Sequence, residues 1–215
     1  MINTKKIILS FVLLISISPL NASFSSLFGF LNNIKTPMKN SYENKPYMLK
    51  VDPDKSVDWE DFLSLSVDYI SEGWPEVFTN KSKDEFRKEY DQELRERITH
   101  GNRYLYLLKN GPTNIGLSNL YTDKIYWPPY NKEVSNVLNI AEFYIIPSHR
   151  RSYYGSFMVN EIKKIGSSLK CPIVVAEVDD DKLVAHKFWQ RHLPYSVKNY
   201  NNRSAYWEEI GIWNE

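Results

Sequence analysis

One stretch constrains this chain more than any other: residues 142–155, reading EFYIIPSHRRSYYG. An apolar run from Phe143 to Ile146 ends at Pro147, and a basic, polar turn follows through Ser148, His149, Arg150, Arg151 and Ser152. After Gly155, the residues Phe157, Met158, Ile162 and Ile165 recur at helical spacing, with Lys163 and Lys164 on the other side. A strand, a basic turn and a helix start together make an anion site. The first backbone N–H groups of a helix have no intrahelical partner, and the helix dipole favours negative charge beyond them. Glycine lets an oxygen approach the backbone closely. The stretch predicts a phosphate-binding turn.

Length and charge bound the rest. A chain of 215 residues suits one domain plus an appendage. Lys and Arg number 27 against 26 Asp and Glu, so neither a nucleic-acid partner nor an acidic tail is indicated. Cys171 is the single cysteine, which excludes an internal disulfide framework and a Cys-rich zinc site. At the N-terminus, Lys5 and Lys6 precede an uncharged run from Ile7 to Leu20, the pattern of a secretory leader with a small residue, Ala22, at the end. The expected divisions are therefore 1–22 as a signal peptide or uncleaved anchor, 23–45 as a linker with a short apolar helix, and 46–215 as the domain. Membrane contact is expected only through the N-terminal segment. Oligomeric state is not legible.

Within the domain, Tyr47 to Val51 reads as a short strand. Trp59, Phe62, Leu63, Ser66, Tyr69 and Ile70 then form a helical stripe that ends near Gly73. Phe86, Tyr90, Leu94 and Ile98 place a second helix over 83–100, and Gly101 stops it. Strands follow at 103–109 and 115–121, turned at Asn110-Gly111, with Gly116 marking a bulge or close approach. Residues 123–136, with Trp127-Pro128-Pro129-Tyr130, are expected to be a loop. A strand at 137–146, a helix at 153–169, a buried strand at 172–178, a short helix at 183–191 and a closing hairpin at 196–209 complete the chain.

Pro147-Ser-His-Arg150-Arg-Ser-Tyr-Tyr-Gly155-Ser resembles the acyl-CoA signature of the GCN5-related N-acetyltransferases (GNAT), P-x-x-[RQ]-x-x-G-x-[GA]. Arg150 takes the Arg/Gln position and Gly155 the final glycine, while Tyr153 stands at the first glycine, a departure. The order β-α-α-β-β-β-α-β-α-β(-β), with the signature between the fourth strand and the third helix, is also that family's order. The resemblance implies an α+β (α/β) fold: a mixed central sheet of about six to seven strands with about four helices, whose fourth and fifth strands run parallel and splay apart. It implies acetyl-CoA as co-substrate and no metal. The pantetheine arm would bond to amides of the fourth strand, here Tyr144, Ile145 and Ile146. The pyrophosphate would sit on amides of the turn, here Arg151, Ser152, Tyr153, Tyr154, Gly155 and Ser156, with Arg150 near the phosphates.

Acetyl transfer to an amine needs a proton acceptor for the amine, donors for the oxyanion, and an acid for the departing thiolate. Family members often carry a carboxylate base on the fourth strand, and Glu142 stands there, between Ala141 and Phe143. It is the first catalytic candidate; a structurally paired glutamate is the alternative. The thiolate's acid is often a tyrosine in N-x-x-A-x-x-F-Y on the fourth helix. Here Lys182-Leu-Val-Ala185-His-Lys-Phe188-Trp189 puts Lys182 at the Asn position and Trp189 at the Tyr position. The resemblance places both beside the cofactor, but an indole N–H is no general acid. Tyr154 and His186 are the substitutes considered, with His192 just beyond.

The resemblance implies an N-acetyltransferase acting on a primary amine, either a small cationic amine or a peptide lysine, in a ternary complex. Its acceptor pocket would draw on 59–100, 123–136 and 200–207, where Trp74, Glu76, Trp127 and Tyr130 mix aromatics with acids, as a cation would require. The two departures, Tyr153 and Trp189, leave open a non-catalytic exported binding module or effector. The leader pattern implies export: to a periplasm, the medium or a host, or display on a membrane anchor.

Overall fold

A computed structural model describes residues 45–127, 129, 131–199 and 202–211. The expected leader, residues 1–22, and nearly all of the 23–45 linker lie outside the described residues, as does Tyr130. The elements run β1 (Tyr47–Lys50), α1 (Ser56–Gly73), α2 (Lys83–Thr99), β2 (Arg103–Asn110), β3 (Thr113–Trp127), β4 (Lys132–Ile145), α3 (Tyr154–Ser168), β5 (Ile173–Asp179), α4 (Leu183–His192), β6 (Tyr195–Asn199) and β7 (Arg203–Glu209). Short 3-10 turns at Pro75–Phe78 and Pro147–His149 complete the set. All strands join one seven-stranded sheet, ordered β1-β2-β3-β4-β5-β7-β6. Every neighbouring pair is antiparallel except β4 and β5, which are parallel. No helix among the described residues is long and apolar enough to cross a membrane.

The period-two alternation of the strands divides the core between the two faces of the sheet. Leu105, Leu107, Leu117 and Tyr144 pack against Trp59, Phe62, Leu63, Tyr69 and Ile70 of α1 and Phe86, Tyr90 and Leu94 of α2. Leu108, Ile115, Phe143 and Ile145 turn the other way, against Met158, Val159 and Ile162 of α3 and Ala185 and Trp189 of α4. Each large apolar side chain buried this way contributes about 1.5–3 kcal/mol. The helix α2 is started by a reciprocal cap: Glu85 N–H donates to Ser82 Oγ at 3.2 Å, and Ser82 N–H donates to the Glu85 carboxylate at 2.8 Å.

The expected loop at 123–136 is mostly strand. Asp123 pairs with Val137, Ile125 with Val134 and Trp127 with Lys132, so only the tip between Trp127 and Lys132 departs from the ladder. The reason is burial. Trp127, Val134 and Val137 lie on one side of this hairpin and pack with Ile173, Val175 and Trp207 into a third cluster. The Pro-Pro pair marks the tip alone.

Gly116 is a close approach. A Cβ there would run into the Tyr144 carbonyl oxygen on β4 and come within 2.9 Å of Ile145 Cδ1. A backbone oxygen inside a ladder cannot withdraw, so Gly116→Ala is expected to destabilise the fold by about 1–3 kcal/mol. A fall in the urea midpoint at unchanged slope would register it; an unchanged midpoint would show that β3 and β4 can separate without loss.

Candidate active site

The site begins where two strands part. β4 and β5 pair only at Leu138–Val174, Asn139–Val175 and Ile140–Ala176, although β4 runs on to Ile145 and β5 to Asp179. The cause lies on the opposite edge of β4. Asn119 pairs with Glu142 and the next residue, Leu120, with Ile140, so Ala141 is an extra residue, a bulge that bends the strand. Beyond it, the edge of β4 facing β5 has no strand partner.

Antiparallel alternation decides which amides open into this fork. Ile146 N–H donates to Ile115 O at 3.0 Å, so Ile146 belongs to the β3 ladder, and Tyr144 is turned the same way. Of the three amides expected to face the gap, Ile145 alone does. Phe143, not foreseen, is the second, because both lie one step out of phase with Ile146.

After Ile145 the chain makes the 3-10 turn Pro147–His149, reaches φ +59° at Arg151 and enters α3 after Tyr153. Among the described residues, the amides of Arg151 through Ser156 have no hydrogen-bond acceptor. This row of free N–H groups at a left-handed bend before a long helix forms an anion nest. A cavity of about 440 Å³ opens onto it, lined by Phe143, Ile145, Arg150, Arg151, Ser152, Tyr153, Gly155 and Ser156, and across from them by Phe188, Arg191 and His192. Tyr153 sits at φ −67°, a conformation any residue adopts, and the residue is 59% exposed. The missing signature glycine therefore costs no backbone strain. Gly155 lets α3 pack close to α4: a Cβ there would lie 3.1 Å from the Phe188 ring.

Arg150 differs from its expected role. Its Nε donates to Ile145 O at 2.7 Å, while Nη1 and Nη2 reach the two carboxylate oxygens of Glu72 at 2.5 and 2.7 Å. With its side chain only 6% exposed, it pins the turn to the end of α1 and its charge is already neutralised. Arg151, exposed and without an ion pair, is the turn's available cation. Arg191 and His192 were not foreseen as cavity residues. His192 Nε2 lies 3.2 Å from Ser156 Oγ, and burial, with Lys163 nearby, lowers its pKa so that it stays neutral at physiological pH. Their position one turn after Phe188 on α4 was the available signal.

On the α1/α2 face, Glu142 is 2% exposed. Its Oε1 accepts from Tyr90 OH at 2.6 Å; its Oε2 is buried with no partner. Asn119 links Tyr90 to Arg103, whose Nη1 donates to Asn119 Oδ1 at 2.8 Å. Burial raises the Glu142 pKa, partly offset by the Tyr90 bond and the Arg103 charge.

Four other candidates lie away from the cavity. Tyr154 OH accepts from Asn110 Nδ2 at 3.0 Å, at the β2–β3 turn. Both ring nitrogens of His186 are engaged, Nδ1 with Tyr206 OH at 2.8 Å and Nε2 with Asp179 O at 3.1 Å, so His186 fastens α4 to the sheet. Lys182 is the N-cap residue of α4, pairs with Asp181 at 2.9 Å and lies over Trp74, outside the cavity lining. Trp189 is fully buried against Phe143 and Phe188 and belongs to the core. Its apolar face, not its indole N–H, explains its place on α4. Among the described residues no group of three His, Cys, Asp or Glu could hold a metal ion.

The two arginines should separate cleanly. Arg150→Ala strands the Glu72 carboxylate and is expected to lose about 3 kcal/mol in denaturant unfolding, whereas Arg151→Ala should stay within about 0.5 kcal/mol of the native protein.

The family model of the acetyltransferase (GNAT) family matches residues 66–193. No curated protein matches the sequence. Among solved structures, the PaiA N-acetyltransferase of Thermoplasma acidophilum, in complex with coenzyme A, superposes with a TM-score of 0.59 at 12% identity, over 77% of this chain and 99% of its own. An aminoglycoside 6'-acetyltransferase type Ii does so with a TM-score of 0.52 at 14% identity, over 78% and 99%. An aminoglycoside N-acetyltransferase in complex with CoA gives 0.53 at 12%, over 69% and 86%. At such identities these structures share the fold and nothing finer. A family match across more than half of the chain, on a sheet forked at β4 and β5, shows that this chain belongs to the acetyltransferase (GNAT) family and is an acyltransferase of that type.

Proposed function

We propose that the protein transfers the acetyl group of acetyl-CoA to a primary amine by direct attack in a ternary complex. The observation that carries this reading is the unpaired edge of β4 at Phe143 and Ile145, which leads into the free amides of Arg151 through Ser156. The edge is suited to a pantetheine arm and the nest to a pyrophosphate, with Arg151 as the free cation. In the proposed reaction the amine lone pair attacks the thioester carbonyl carbon, the N–C bond forms, and the C–S bond breaks with its electrons on sulfur. Glu142 Oε2 accepts the amine proton. A carboxylate whose pKa is raised by burial is a stronger base than a solvated one, and the Tyr90 bond keeps it oriented.

For the acceptor we propose a cationic amine. A cavity of about 590 Å³ at the end of β5 is lined by Trp74, Glu76, Asp179, Asp180 and Asp181, though Lys182 and Arg203 share it. A second, of about 280 Å³, lies along the same sheet face between Tyr121, Tyr126, Trp127 and Glu177. Arg203 joins the two, bound to both Asp179 and Glu177. Acids and aromatic faces together suit an ammonium group.

A second reading, an exported module that binds the cofactor without transferring, draws on Trp189 standing where the signature has tyrosine, and on the leader pattern of Lys5, Lys6 and the run from Ile7 to Leu20. We propose export by that leader. A mature N-terminus near Ser23 in fractionated cells is the expected result, and an intact chain confined to the cytoplasm would refute it.

Calorimetric titration with acetyl-CoA tests the main reading. Binding is expected, with Arg151→Glu weakening it at least about tenfold through charge reversal at the phosphates. No binding by folded protein would overturn the proposal. With an amine acceptor in hand, Glu142→Gln should lower kcat by about 100-fold or more. The working form of Glu142 is the anion and its folded pKa is raised. Activity should therefore rise with pH along a limb lying above the ordinary glutamate range, and Glu142→Gln should lack that limb; a flat profile in the native enzyme would remove Glu142 from the role.

A further inference from the structure

We propose that Tyr69, on α1, donates a hydrogen bond to the departing sulfur of acetyl-CoA and so supplies the thiolate donor that α4 lacks. The proposal rests on the acetyl-CoA reading above. Tyr69 is 1% exposed, yet its hydroxyl has no hydrogen-bond partner. A buried hydroxyl left unpaired costs stability, so its retention asks for a use. Its position supplies one. The ring lies 5.6 Å from that of Tyr144 on β4 and 5.5 Å from that of Trp74. The charges that bear on its hydroxyl come from four elements: Glu142 on β4, Tyr90 on α2, Asp179 at the end of β5 and Arg203 on β7. Tyr144 lies on the part of β4 beyond its last pairing with β5, so the Tyr69 ring packed beside it stands on the α1/α2 side of the fork. That is also where a thioester carried on the edge of Phe143 and Ile145 must present its sulfur and carbonyl.

Other donors are either spent or placed away from the α1/α2 side of the fork. Tyr90 OH donates its hydrogen bond to Glu142, and Tyr154 is held at the β2–β3 turn, where its OH accepts from Asn110. Trp189 Nε1 is also buried without a partner, but it lies on the opposite face of the sheet, in the α3/α4 core. Burial first, and then the carboxylate of Glu142, raise the Tyr69 pKa well above its usual value, so the phenol stays neutral throughout the working pH range. It therefore acts as a donor, not as a proton source. The step balances without it changing charge: the amine proton passes to Glu142, the C–S electron pair stays on sulfur, and Tyr69 keeps its proton while bonding to that sulfur. Turnover releases the Glu142 proton to solvent, where the thiolate is protonated.

The test needs no acceptor amine. The full chain and its Tyr69→Phe variant are loaded with CoA, and the bound thiol is titrated by ultraviolet thiolate absorbance, as the difference between loaded and empty protein. The bound thiol is expected to ionise about one pH unit lower in the native protein than in Tyr69→Phe, a tenfold change in its ionisation constant. Coincident titrations would overturn the proposal while leaving CoA binding intact. Absence of CoA binding in the native protein would instead bring down the acetyl-CoA reading and this one with it. Thermal unfolding adds a readout that a structural role would move in the opposite sense. Removing an unpaired buried hydroxyl should leave the midpoint of Tyr69→Phe unchanged or higher; a lowered midpoint with an unchanged thiol titration would make Tyr69 a packing residue.

Discussion

Everything at this site depends on one extra residue in one strand. Ala141 interrupts the β3–β4 register, and beyond it β4 bends out of reach of β5. A sheet normally leaves no unpaired edge in its interior, because buried backbone groups need partners. Here the interior edge is kept open by a frame that is stiff around it. Gly116 lets β3 lie close against Tyr144, and the α1/α2 and α3/α4 layers clamp the two faces. The protein covers one of the exposed carbonyls itself, with Arg150 Nε on Ile145 O. The neighbouring amides are left for a ligand that brings its own acceptors.

Two buried ionisable systems near the fork are treated in opposite ways. The Arg150–Glu72 pair is fully engaged, with Nη1 and Nη2 on the two carboxylate oxygens, Nε on Ile145 O, and Tyr144 beneath and alongside. Such a pair stabilises by not being broken, and it ties the phosphate turn to α1. Glu142 is left half-satisfied, one oxygen on Tyr90 and the other on nothing, with Tyr69 unpaired nearby. The first arrangement holds geometry. The second is unstable by design of its surroundings and is the kind of site at which chemistry is poised.

The reading of the signature changes in consequence. Its arginine is a structural anchor, its final glycine a packing contact with Phe188, and its missing glycine a position with ordinary backbone geometry. What remains for binding is the backbone itself, which is why a tyrosine at the departing position leaves the nest in place. Side-chain identity at these positions speaks to how the turn is held, more than to what it holds.

The amino-acid sequence by itself determined the element order, the strand–turn–helix at Pro147 to Gly155 and the burial of Glu142 between apolar neighbours. These follow from periodicity, turn chemistry and the cost of an unpaired carboxylate, all local in the chain. It misjudged the 123–136 hairpin, where a Pro-Pro tip hid strands whose partners lie on β5 and β7. It also offered His186 and Tyr154 as catalytic groups and placed Lys182 and Trp189 beside the cofactor. Only tertiary structure could show that Tyr206 and Asp179 occupy His186, that Asn110 holds Tyr154, and that Trp189 is core. Tyr69 was legible solely as one more apolar position in a helical stripe. Its unpaired hydroxyl at the fork depends on where β4, β5 and β7 bring Glu142, Asp179 and Arg203, and a one-dimensional pattern carries no record of which distant groups meet.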